Sequence, residues 1–132
     1  MINHNREILI LYNPESDSQR RTVAYAKSVT PHVKAYSFAD YTKSNLPWIR
    51  ILRALQLHPK DLLDKSNPYY QEHIRGREFE EDGWLNILSR NPHLIKSPIG
   101  IRGNKVVLCC IPKDIYRLQC PDVIVENKIA IY

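Results

Sequence analysis

Ser16 is the first residue of this chain whose position suggests chemistry. It follows an Asn13-Pro14 turn and opens residues 16–19, Ser-Asp-Ser-Gln, which have the spacing of a helix capping box. A hydroxyl at a helix N-terminus can help bind an anion, and it becomes a nucleophile where an adjacent base removes its proton. No sequence pattern identifies such a base, so we interpret Ser16 as an N-cap.

The three cysteines are the other candidates for chemistry. Cys109 and Cys110 close a predicted strand, and neighbouring strand residues point to opposite faces, so one thiol should face the core and the other should face outward. Cys120 lies beside Pro121 in an irregular segment and is a candidate for the most exposed thiol. Buried cysteine commonly serves as a small apolar residue, so structural roles are favoured for the adjacent pair.

Metal and phosphate chemistry find little support in the sequence. The five histidines are far apart, no Cys-x-x-Cys or His-x-x-x-His pair occurs, and the four glycines form no phosphate loop. We therefore predict no metal site and no cofactor. The histidines are His4, His32, His58, His73 and His93.

Composition and charge indicate an ordinary globular protein. The chain has 132 residues, 43% hydrophobic content and a net charge of +5, which fits one domain with a real core. Its basic residues are scattered as pairs and lack interleaved aromatic residues, so a nucleic-acid partner is not predicted. No apolar run approaches the ~20 residues of a membrane helix. An odd cysteine count without a disulfide framework favours the cytoplasm.

The elements that must position these residues follow the order β-α-β, a helical insert, then β-β-α. Residues 8–12 form a short apolar strand, residues 17–29 a helix, and residues 33–38 a second strand parallel to the first. Trp48, Ile51, Leu52 and Leu55 have the spacing of one buried helical stripe.

Two further segments complete the predicted domain. A helix is predicted at residues 80–89, and Gly103-Asn104 joins strands 99–102 and 105–109 as a hairpin, before a last helix. We predict one domain over residues 1–118, with the helical insert at about 42–91. Residues 119–132 form a tail with two β-branched runs, predicted to pack on the domain or to join a homodimer through an exposed edge.

Three segments carry a resemblance to a known family. Residues 7–22, residues 91–99 (Asn-Pro-His-Leu-Ile-Lys-Ser-Pro-Ile) and residues 105–112 together resemble the arsenate reductase (ArsC)/Spx family of thioredoxin-fold proteins. The resemblance implies an α/β, thioredoxin-like fold with a four-stranded mixed sheet. It also implies a cis bond between Ser97 and Pro98, and it places any ligand at Asn13, Ser16, Ser97 and Pro98.

The chemistry that the resemblance implies is missing from the matching positions. Family members have a nucleophilic cysteine where this chain has Ser16, and arginines where it has Asp64 (or Lys65), Ser97 and Ile111. A helix N-terminus stabilises a thiolate, whereas a serine hydroxyl stays protonated there. The flanking carboxylates of Glu15 and Asp17 would in addition repel an incoming oxyanion.

The sequence therefore leaves two main interpretations of the function and a third, less favoured one. The leading interpretation is a non-catalytic ArsC/Spx-like protein that acts through a protein partner, since Spx-like relatives act by binding RNA polymerase. The alternative is a divergent thiol oxidoreductase, arsenate reductase-like or glutathione-dependent, that uses Cys109, Cys110 or Cys120. A small-anion site at Ser16 is the third.

Overall fold

The computed structural model describes residues 6–41 and 48–119. They divide into two compact units, one of residues 6–37 with 97–119 and one of residues 38–41 with 48–96. The cysteine at position 120 and the predicted β tail lie outside the described residues. None of the described helices combines the length and the apolar character needed to cross a membrane.

The first unit, which we call the sheet unit, contains a four-stranded sheet. Its elements, in chain order, are β1 Ile8–Tyr12, helix α1 Asp17–Val29, β2 Val33–Ser37, β3 Ile99–Arg102, β4 Lys105–Leu108 and a 3₁₀ helix Pro112–Leu118. The sheet order is β2-β1-β3-β4, with β1 parallel to β2 and antiparallel to β3, and β3 antiparallel to β4. The predicted α/β fold with a mixed sheet is confirmed.

Short-range signals account for these elements. The apolar run of β1 is buried in four of its five positions, as expected for a central strand. The β3–β4 hairpin turns at Gly103, whose φ of 64° lies in the left-handed region that glycine adopts without a steric penalty. The last helix is 3₁₀ rather than α, and it opens with Pro112 at its first position.

The core of the sheet unit lies between the sheet and its helices. Gly100 of β3 lets the last helix approach closely, because a Cβ there would lie 2.7 Å from Ile115 Cδ1 and 2.9 Å from Leu118 Cδ1. The rings of Tyr25 and Tyr116 stack at 5.6 Å and link α1 to the same helix. The buried cluster consists of Ile8, Ile10, Val23, Ala26, Val107, Cys109, Ile115 and Leu118.

The second unit, which we call the helical unit, is built from short helices. They are α2 Phe38–Tyr41, α3 Trp48–Leu55, a 3₁₀ helix Pro59–Leu62, α4 Pro68–His73, α5 Glu81–Arg90 and a 3₁₀ helix Pro92–Leu94. The predicted stripe is confirmed for Trp48, Ile51 and Leu52, which are buried. An isolated bridge between Leu63 and Ile95 ties the middle of the unit to its end.

One expectation from the resemblance is wrong. The peptide bond between Ser97 and Pro98 is trans, the default geometry for a bond before proline. The carbonyl of Pro98 accepts a hydrogen bond from the Cys109 amide at 2.8 Å, which extends the β3–β4 ladder by one residue.

Candidate functional site

The strand register brings the sequence-predicted residues to one edge of the sheet unit. Leu11 near the end of β1 pairs with Ile99 at the start of β3, and Ile99 pairs with Leu108 at the end of β4. The residues just beyond these strand ends therefore share one edge. We call it the site edge, and it consists of residues 13–16, 97–98 and 109–111. All four predicted ligand-binding residues lie on it.

The turn from β1 into α1 is closed by its own hydrogen bonds. Ser16 Oγ accepts from the Gln19 amide at 3.2 Å, which confirms the predicted N-cap. Asn13 Oδ1 accepts from the Glu15 amide at 3.0 Å, and the Asn13 carbonyl accepts from the Ser16 amide at 3.1 Å. The amides of residues 15, 16 and 19 therefore already have acceptors within the chain.

The side chain of Gln19 does not follow the capping-box prediction. Its Oε1 accepts from the Asn13 amide at 2.8 Å, six residues back at the end of β1, instead of from the Ser16 amide. Gln19 is buried, with 7% of its surface exposed, so this bond is sheltered from water. Gln19 is the residue of this turn that sequence reasoning missed, because the capping-box spacing assigned it a nearer partner.

The cation of the first helical turn is also engaged. Arg20 forms an ion pair with Asp17, and its Nη1 donates to the Pro14 carbonyl at 2.6 Å. This guanidinium is thus oriented by the turn itself. The exposed carboxylate of Glu15 adds a negative charge to the same turn.

In the described part of the sheet unit, no histidine lies beside Ser16 to act as a general base. The one described histidine of this unit, His32, lies at the far end of the sheet, where its carbonyl accepts from the Ile8 amide at 2.9 Å. The Ser16 hydroxyl serves as a hydrogen-bond acceptor for the helix, a role worth about 1 kcal/mol.

The two described cysteines have opposite environments, as the alternation of strand residues predicted. Cys109 is 1% exposed and belongs to the core, and Cys110 is exposed at the site edge. Burial first, and then the carboxylate of Asp114, raise the pKa of the Cys109 thiol from 9.0 to about 12. A thiol with that pKa carries almost no thiolate at neutral pH, so Cys109 is a poor nucleophile.

The positions where the resemblance implies arginines have varied side chains and environments. Ser97 is buried with 7% of its surface exposed, and Ile111 is 55% exposed. In the helical unit, Asp64 Oδ1 accepts from the Ser66 amide at 3.0 Å and from the Ser66 hydroxyl at 2.6 Å. Lys65 beside it is exposed. Across residues 6–41 and 48–119, no group of three or more His, Cys, Asp or Glu side chains is arranged to hold a metal ion.

Comparisons with known proteins agree with the fold. No protein-family model and no curated sequence matches the chain. An arsenate reductase from Vibrio cholerae superposes with a TM-score of 0.76 at 18% identity, covering 88% of this chain and 99% of that one. A candidate arsenate reductase from Yersinia pestis gives 0.69 at 21% identity, with 84% and 99% coverage. An ArsC family related protein from Bacteroides fragilis gives 0.67 at 16%, with 85% and 98% coverage. Likeness at these identities shows a shared fold.

Proposed function

We propose that this chain, which has an arsenate reductase-like thioredoxin fold, is a non-catalytic, Spx-like protein that acts by binding another protein. The closed turn at Ser16 is the observation that carries the proposal. A family-type nucleophile needs free helix amides to stabilise its anion. Here the Ser16 hydroxyl accepts from the Gln19 amide, Asn13 accepts from the amides of Glu15 and Ser16, and Gln19 accepts from the Asn13 amide.

Charge at the turn supports the same conclusion. Glu15 and Asp17 place two carboxylates beside the helix N-terminus, and the Arg20 guanidinium is held by Asp17 and by the Pro14 carbonyl. Both carboxylates would repel an approaching arsenate or phosphate, and charges interact most strongly at short distances. This arrangement also argues against the third interpretation, a small-anion site at Ser16.

A partner surface is available on the site edge. Ile111 is 55% exposed at a position where the resemblance implies an arginine, and Cys110 is exposed beside it. We propose that the partner contacts the site edge through Ile111. A homodimer formed by the C-terminal tail, a cytoplasmic location, and the absence of cofactor, nucleic-acid and membrane partners stay predictions.

The interaction can be tested with a cross-linkable residue. A photoreactive phenylalanine analogue placed at Lys113, which is exposed close to Ile111, should cross-link to a discrete partner in cell extract. Ile111→Asp in the same chain should abolish that product, because a charge in an apolar contact is costly to bury. Exposed Ile49 is in the helical unit, and Ile49→Asp is the matched control. An unchanged product with Ile111→Asp would contradict the proposal.

A thiol oxidoreductase is the second candidate, and the exposure of Cys110 favours it. Its thiol stands at the site edge, where glutathione or a small disulfide could reach it. Reaction with iodoacetamide at neutral pH separates the two candidates. A reactive, low-pKa thiol at Cys110 would support the alternative, and the rate of an ordinary exposed thiol would support the interaction role. Cys110→Ser identifies the site of any fast reaction.

A further inference from the structure

The helical unit contains a cavity that the proposed function does not use. Its volume is about 560 Å³, within the range of ~300–1,000 Å³ for small-molecule sites. It opens between α3, the following loop and the start of α5. Its lining consists of Ile49, Leu52, Arg53, Gln56, Leu57, His58, Pro59, Phe79, Glu81, Trp84 and Leu85.

The floor of the cavity is apolar and already assembled. Leu52 and Trp84 are buried with 7% and 5% of their surfaces exposed. The rings of Phe79 and His58 meet the Trp84 ring edge-on, with centroids at 5.0 Å and 5.5 Å. Such an aromatic corner needs little rearrangement to receive an apolar ligand.

The cavity lining includes one cationic and one anionic side chain. Arg53 and Glu81 both line the cavity, and neither belongs to an ion pair within residues 6–41 and 48–119. Lys60 is not a lining residue, but its Nζ lies 5.9 Å from the centroid of the Trp84 ring. An Arg side chain at the edge of an apolar cavity suits a carboxylate, which it can bind with two parallel hydrogen bonds.

The backbone beside the cavity is strained in a way that shapes it. Gln56, with φ of 59°, is the one described residue other than glycine with a positive φ. The Leu57 amide donates to the Leu52 carbonyl at 3.1 Å, and the Gln56 amide donates to the Arg53 carbonyl at 3.2 Å. These bonds form a Schellman motif that ends α3 and folds Leu57 back beside Leu52.

We propose that this cavity binds a small apolar molecule that carries one carboxylate group. The apolar body lies against Leu52, Leu85 and Trp84, and the carboxylate pairs with Arg53. Glu81 limits the affinity for such an anion by repulsion and disfavours ligands with two negative charges. The inference stands apart from the proposed function, since it concerns the helical unit alone.

Octanoate, octan-1-ol and octylammonium are suitable probes because they share one chain and differ in head group. Binding to the full chain is followed by backbone amide shifts and by tryptophan fluorescence, below the concentration at which each probe aggregates. We expect saturable octanoate binding at least tenfold tighter than that of octan-1-ol, with shifts concentrated on the lining residues. Absence of saturable binding, equal affinity for the alcohol, or preference for octylammonium would overturn the proposal.

Variants at the rim assign the head-group contact. Arg53→Gln should lower octanoate affinity to that of octan-1-ol, whereas Arg50→Gln, on the same helix and outside the lining, should leave it unchanged. Glu81→Gln should raise octanoate affinity because it removes a carboxylate that repels the anion, and a decrease would overturn the proposal. Leu85→Trp should fill the cavity and abolish binding of both octanoate and octan-1-ol. Amide dispersion in each variant confirms that the fold is intact.

Discussion

The polar groups of the turn after β1 differ in their pairing from the charged side chains that line the cavity of the helical unit. At the turn, Ser16, Asn13 and Gln19 satisfy one another's donors and acceptors. Arg53 and Glu81 line the cavity, and neither forms an ion pair in the described part of the chain. The two regions therefore differ in whether their polar side chains are engaged within the described part of the chain.

The largest expected difference between the two regions is the loss of folding stability when a buried leucine in each is replaced by alanine. Leu11, fully buried near the end of β1, should lose about 4 kcal/mol of stability as alanine, because close packing leaves a cavity. Leu52 already borders an open cavity, so Leu52→Ala should cost about 2 kcal/mol, near the lower end for this substitution. Urea unfolding measures both, and equal or reversed losses would contradict the contrast.

Removing the Gln19 acceptor tests how tightly the turn is closed. Gln19→Leu keeps a side chain of similar size but leaves the Asn13 amide without its acceptor, which should cost about 2 kcal/mol. Gln119→Leu, at an exposed position, is the control and should stay within about 0.5 kcal/mol of the parent. A Gln19→Leu variant as stable as this control would mean that the turn does not depend on the bond.

Alkaline pH should weaken the sheet unit through Cys109. Its pKa is raised from 9.0 to about 12 in the fold, so the folded chain keeps a proton that the unfolded chain loses. The contribution of the Cys109 proton to the free energy of unfolding is fully present below pH 9.0. It is lost as the pH rises toward 12, by up to about 1.4 kcal/mol per pH unit. Urea unfolding of the parent and of Cys109→Ala across this interval isolates the effect. Parallel curves for the two proteins would contradict it.

Loss of the N-cap should have a smaller effect. Ser16→Ala removes the acceptor of the Gln19 amide and should cost about 1 kcal/mol, whereas Ser16→Asn supplies another good cap and should be nearly neutral. Thermal unfolding distinguishes the two substitutions. Equal losses for alanine and asparagine would show that something other than capping makes the serine important.

The smallest predicted effect is a gain in folding stability from a substitution beside the cavity. Gln56→Gly relieves a left-handed residue with a side chain and should stabilise the chain by about 0.5–1 kcal/mol, even though glycine costs entropy elsewhere. Gln71→Gly, within α4, should instead destabilise. If Gln56→Gly also destabilises, the strain at the end of α3 is not as the geometry indicates.

Much of the fold followed from local signals in the sequence. The apolar run of β1, the Ser16 cap and the Gly103 turn each depend on a few neighbouring residues, and all three are confirmed. The partner of Gln19 was missed because two backbone amides were within reach, and only the tertiary position of β1 selects between them.

The cavity could not be predicted at all from local patterns. Its lining joins residues 49–59 to residues 79–85, which are far apart in the sequence. It also depends on a left-handed backbone at position 56, which is usually predicted from a glycine but here is a glutamine. The trans bond before Pro98 likewise departs from the resemblance, which supplied that expectation without any signal in the chain's own residues.

Turnover is the most direct measurement of the central claim that this fold is kept without thiol catalysis. NADPH oxidation is followed with arsenate and with a small disulfide as substrates, coupled to glutathione–glutaredoxin or to thioredoxin. The control carries Cys109, Cys110 and Cys120 all changed to serine. The account predicts identical background rates for the parent chain and this control. Turnover that the parent shows and the control lacks would demonstrate a relocated thiol active site and contradict the account.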